Sequence, residues 1–101
     1  MYQFTSESVS QGHPDKVADL ISDTVATYLI NGNINHRAAV ETLVTTNKVI
    51  LAGEFKSDRG QNPDRIENIV REVIKEIGYE QEGFHWETVE VQNHLHGQSQ
   101  D

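Results

Sequence analysis

The sequence contains no cysteine, which excludes a disulfide framework, a thiolate nucleophile and a cysteine-based zinc finger. Positive charge is scarce: 8 Lys and Arg stand against 16 Asp and Glu, a formal net charge of −8. A free-standing binder of DNA or RNA needs clustered Lys and Arg against the phosphates, so nucleic acid is excluded as a partner. An anionic membrane surface is disfavoured for the same reason. Long apolar runs are missing too. The longest, Val49-Ile50-Leu51-Ala52, falls far short of a bilayer span. The opening residues Met1 to Glu7 carry neither the basic region nor the apolar stretch of a signal peptide. A soluble, cytoplasmic domain is the expectation. The 2 prolines, Pro14 and Pro63, each stand at the start of a helical pattern rather than inside one.

What is present suits one folded unit over residues 1–101, with 36% apolar residues to supply a core. Val17, Leu20, Ile21, Val25, Tyr28 and Leu29 recur at helical spacing and predict a helix over 14–29. Asn31-Gly32 supplies its left-handed stop. Stretches 38–45 and 49–55 are apolar and partly β-branched, and Thr46-Asn47-Lys48 between them reads as a tight hairpin. Asn62 is placed to cap a second helix that starts at Pro63 and carries Ile66, Ile69, Val70, Val73, Ile74 and Ile77 as its stripe. Gly78 ends it. Val89, Val91 and Leu95 then share one face of a half-buried strand over 86–95, and 4–9 forms a further short strand. The expected fold is α+β in β-α-β-β-α-β order, with two helices packed on one face of a small, mostly antiparallel sheet. Such a fold does not choose a function.

The unusual segment is Ser8-Val9-Ser10-Gln11-Gly12-His13-Pro14-Asp15-Lys16, which runs into the first helix. A helix N-terminus presents unpaired N–H groups and partial positive charge, a setting for an anion. Gly12 permits close backbone approach, and Lys16 adds a cation one turn inside. His13 stands at the mouth, where it can donate to a phosphate or leaving-group oxygen. Asp15 repels a bare phosphate but can hold magnesium that a phosphate also binds. The same residues equally describe an ordinary capped helix, with Asp15 answering the dipole and His13 a bystander. Spacing alone leaves both readings open.

Phe4-Thr5-Ser6-Glu7-Ser8-Val9-Ser10, followed by Gly12-His13-Pro14-Asp15-Lys16, resembles the N-terminal signature of S-adenosylmethionine synthetases, the methionine adenosyltransferases. Ile21-Ser22-Asp23, Glu41-Thr42, Gly53-Glu54, Ile77-Gly78-Tyr79 and Gln98-Ser99 follow in that family's order and approximate spacing. Gln11 departs from the glutamate of many members, and Gln100 stands where a proline usually precedes the aspartate. The resemblance implies the first domain of a three-domain enzyme that joins ATP to L-methionine with magnesium and potassium, in a site shared between subunits of a homodimer or homotetramer. By that resemblance His13 is catalytic and contacts ATP beside the breaking C5′–O bond, and Lys16 also faces ATP. Asp15 holds magnesium, with Glu7 a further magnesium contact, and Glu41 is the potassium-linked carboxylate. Glu54 holds the methionine amine, and Gln98 is a second methionine contact at the start of a mobile loop. The 101 residues alone are expected to be inactive. The competing reading is a non-catalytic interaction module that pairs through its open sheet face.

Hairpin geometry bears on this independently of any family. If Thr46 and Asn47 make a two-residue turn, Thr45 faces Lys48, Glu41 faces Ala52, and Glu54 lies diagonally from Glu41 on one face. Their Cα atoms are then about 7–8 Å apart. Two carboxylates sharing a face favour nearby cations; a three-residue turn separates them onto opposite faces. Elsewhere, His94 and His96 alternate along the last strand and read as surface histidines, since a closed structural metal site needs more ligands. His36 and His85 sit beside turns and read as solvated. Glu67–Arg71 and Glu72–Lys75 read as helix-surface ion pairs, and Trp86 and Tyr79 as core-edge packing.

Overall fold

The computed structural model describes residues 14–57, 60–77 and 84–97, with the backbone only at Pro14 and Asp15. The strand expected over 4–9 and the helix stop at Gly78 lie outside the described residues. Helix α1 spans Pro14–Ile30, strand β1 Arg37–Thr45 and strand β2 Lys48–Lys56. Helix α2 spans Pro63–Glu76 and strand β3 Glu90–Gly97.

Helix α1 stops where Asn31 and Gly32 enter the left-handed region, at φ 51° and 74°. The Asn31 N–H donates to the Thr27 carbonyl across 2.8 Å. His36 completes this terminus. Its Nδ1 lies 3.1 Å from the Ile30 carbonyl oxygen, and the residue is buried at 7% exposure. That corrects the solvated reading: an imidazole that answers an end-of-helix carbonyl can be buried without an unmet polar group. Helix α2 begins as its sequence predicts, the Asn62 side chain accepting from the Arg65 N–H at 3.2 Å with Pro63 next in line.

The sheet order is β1-β2-β3. β1 and β2 pair antiparallel through the Thr46-Asn47 turn, whose Asn47 takes φ 60°. β3 pairs parallel to β2, because α2 carries the chain back to start the next strand at the same end. The described sheet is therefore mixed, one pair of each kind. Val44, Val49, Leu51, Phe55 and Leu95 line one sheet face and meet Val17, Ile21, Val25 and Leu29 of α1 and Ile66, Ile69, Val70, Val73 and Ile74 of α2 in one core. Both helices cover that face. The other face is open.

The apolar stripes need trimming at their edges. Leu20 is 42% exposed and Ile77 39% exposed, and Ala18 is buried in place of Leu20. A step of 3.6 residues rotates Leu20 off the line that Val17, Ile21 and Val25 hold. The last strand is shorter than expected, starting at Glu90 rather than near 86. Residues 85–89 instead form a turn, with the N–H groups of Thr88 and Val89 both donating to the His85 carbonyl. Arg71 secures it from α2. Its Nη1 donates to the Trp86 and Glu87 carbonyls at 2.7 and 3.3 Å while Nη2 holds Glu67 at 2.7 Å. Lys75 lies 4.7 Å over the Trp86 ring, and no Glu72–Lys75 ion pair forms among the described residues. No described helix is long and apolar enough to cross a membrane.

Candidate functional site

The turn geometry left open by the sequence is the two-residue one. Thr45 pairs with Lys48, Glu41 with Ala52 and Ala39 with Glu54. Glu41 and Glu54 are therefore diagonal neighbours on the open face, both exposed. With Ala39, Ala52 and Gly53 they line a shallow depression of about 270 Å³. The small side chains of Ala39 and Ala52 make its floor, leaving the carboxylates as its polar edge. Glu41 also borders a second depression of about 550 Å³ with Asp19, Ser22, Asp23 and Thr42. There Ser22 Oγ and Thr42 Oγ1 meet at 2.7 Å and tie α1 to β1. The electrostatic character of both hollows is anionic, suited to cations and ammonium groups.

Two features of this face escaped the sequence reading. Gly53 takes φ 131°, and a Cβ built on it overlaps the carbonyl oxygen of Ala39. A side chain beside Glu54 at this position would collide with the backbone of β1, so only glycine fits. His96 lies directly opposite Glu54 in the β2–β3 ladder, its Nε2 3.5 Å from Glu54 Oε2. The alternation of His94 and His96 put both on one face, where both are exposed; the parallel register with β2 gave His96 its partner.

The remaining candidates divide. Lys16 is exposed in the first turn of α1. Asp15 lies in the same turn, with its side chain outside the described residues. His13, Glu7 and Gln98 lie outside the described residues altogether. No group of three or more His, Asp or Glu among the described residues is arranged to hold a metal ion by itself.

The profile of the S-adenosylmethionine synthetase N-terminal domain matches residues 1–100. The chain belongs to that family. It is similar to the S-adenosylmethionine synthase of Granulibacter bethesdensis, 57% identical over 99% of this chain and 25% of the relative. It is also similar to that of Hyphomonas neptunium, 53% identical over 97% of this chain and 25% of the relative. Among solved structures, an unusual S-adenosylmethionine synthetase from Campylobacter jejuni superposes with a TM-score of 0.78 at 39% identity, covering 89% of this chain and 25% of that one. The chain thus spans about a quarter of the length of the relatives it matches.

Proposed function

We propose that this chain serves as the N-terminal domain of a methionine adenosyltransferase and supplies part of a site shared between subunits. The observation that carries this reading is the family match over residues 1–100, supported by Glu41 and Glu54 on one open face. In the reaction, the sulfur of L-methionine attacks C5′ of ATP, and the C5′–O bond breaks to release triphosphate. Water then cleaves that triphosphate to pyrophosphate and phosphate.

His13 donates toward the leaving C5′ oxygen, and Lys16 faces the phosphates from the first turn of α1. Glu54 holds the methionine ammonium, with Gln98 a second contact to that substrate. Glu41 offers potassium a carboxylate oxygen, a donor type that hard cations accept, and Asp15 and Glu7 offer the same to magnesium. Bound magnesium offsets phosphate charge that the protein's own cations do not reach. Of 8 basic residues only Lys16 lies in the phosphate-facing segment, so further cations come from other parts of the complete enzyme. A cytoplasmic homodimer or homotetramer belongs to the same reading.

Calorimetry with ATP and L-methionine tests it. The expected result is magnesium-dependent ATP binding that Asp15→Asn weakens and L-methionine binding that Glu54→Gln weakens. Absence of both, with Asp15→Asn silent, favours the non-catalytic module that pairs through the open sheet face.

A further inference from the structure

Asn31-Gly32 is the single Asn-Gly pair in the chain, and it ends α1. The fold leaves its reacting atoms open to water. Both residues are exposed. Among the described residues, no hydrogen bond holds the Asn31 side-chain amide, and the Gly32 N–H has no backbone acceptor. A Cβ built on Gly32 meets nothing within 4 Å, so the space beside its nitrogen is clear. Every other asparagine precedes a residue whose own side chain crowds the following nitrogen, and Asn62 precedes Pro63, which has no N–H to give.

We propose that Asn31 is a site of spontaneous covalent modification, deamidated through the Gly32 nitrogen at a rate set by opening of the α1 terminus. A solvent base takes the Gly32 amide proton, and the nitrogen attacks Asn31 Cγ. The Cγ–Nδ2 bond breaks, and the departing nitrogen takes up a proton and leaves as ammonia. Water then opens the cyclic imide. Attack at Cγ gives aspartate; attack at the main-chain carbonyl carbon gives isoaspartate, whose backbone runs through Cβ and Cγ. No reagent but water is consumed.

Closing that ring turns the peptide unit after Asn31 out of the left-handed conformation, φ 51°, that ends the helix. The step therefore runs through local opening. Three contacts oppose it. The Asn31 N–H donates to the Thr27 carbonyl at 2.8 Å, and the Asn33 N–H donates to that of Ile30 at 3.0 Å. His36 Nδ1 lies 3.1 Å from the same Ile30 oxygen. Either product places a carboxylate at the C-terminal end of α1, where the carbonyls already carry partial negative charge, so the modified terminus opens more readily than the original.

The test is peptide mapping by mass spectrometry of the folded chain, kept in mildly alkaline, ammonia-free buffer, with released ammonia measured in parallel. Asn31 is expected to convert before any other asparagine, with isoaspartate among the products and a more acidic species on anion exchange. Ammonia release with Asn31 intact, or no release at all, overturns the proposal. Asn31→Gln is expected to lose the early ammonia release; release at the wild-type rate overturns it as well. His36→Ala removes one hydrogen bond from the helix end and is expected to speed the loss of Asn31 about two- to ten-fold. An unchanged rate, with the amide shifts of Val44 and Leu51 in place, overturns the route through terminal opening. Should that variant lose those shifts, the wild-type map and Asn31→Gln decide.

Discussion

Glu41 and Glu54 share the open face of the sheet because Thr45 pairs with Lys48 across a two-residue turn. Both are exposed, so water reaches each charge, and His96 stands beside that of Glu54. Glu41→Gln and Glu54→Gln are therefore expected to change unfolding free energy by less than about 0.5 kcal/mol in urea titration. A loss well above that shows that the carboxylates support the hairpin rather than a ligand.

Gly53 is the structural counterpart of those side chains. Alanine there meets both a left-handed φ and the Ala39 carbonyl. Gly53→Ala is expected to destabilise the chain by about 1–3 kcal/mol, with shifted amide resonances at Ala39, Val40 and Glu54. An unperturbed spectrum refutes the close approach.

Arg71 links α2 to the turn before β3 through two backbone carbonyls. Arg71→Met keeps much of the stem but leaves the Trp86 and Glu87 carbonyls without this donor. The expected cost is about 1–3 kcal/mol. Amide exchange at Thr88 and Val89 is expected to accelerate more than at Val44 in the centre of the core. Uniform acceleration shows instead that Arg71 acts only on global stability.

The trimmed stripe of α1 predicts a contrast between neighbours. Ile21 is fully buried and Leu20 is 42% exposed. Ile21→Ala is expected to cost about 2–5 kcal/mol. Leu20→Ala is expected to cost under about 1 kcal/mol, since little of its surface is withdrawn from water. Comparable losses in denaturant midpoints place Leu20 in the core after all.

Turnover is the broadest prediction. The chain by itself is expected to form no S-adenosylmethionine from ATP and L-methionine, since its cations are too few for a triphosphate. Product that disappears in His13→Ala shows that it carries a complete site.

Local chemistry made much of the fold legible. Asn62-Pro63 opens α2, Asn31-Gly32 closes α1, and the spacing of Ile66 to Ile74 marks the buried side of α2, because caps and periodicity act within a few residues. The start of β3 was not legible. Residues 86–89 have strand-like composition, yet they turn because a guanidinium from α2 holds their carbonyls, and that partner is 15 positions away in the chain. His36 was misread although its partner is near: the helix stop was legible, but not that the ring folds back onto the Ile30 carbonyl six positions earlier.

The candidate site divides along the same line. Residue types and spacing alone left Gly12 to Lys16 open between a setting for anion and metal and an ordinary capped helix, and limited Glu41 and Glu54 to one of two arrangements. Strand pairing chose between those arrangements, since a one-residue difference in a turn reverses every side chain beyond it. Pairing also brought His96 to Glu54 across the parallel ladder, 42 residues apart in sequence. Composition and local order are properties of the chain; which charges face one another is a property of register, and only tertiary packing sets register.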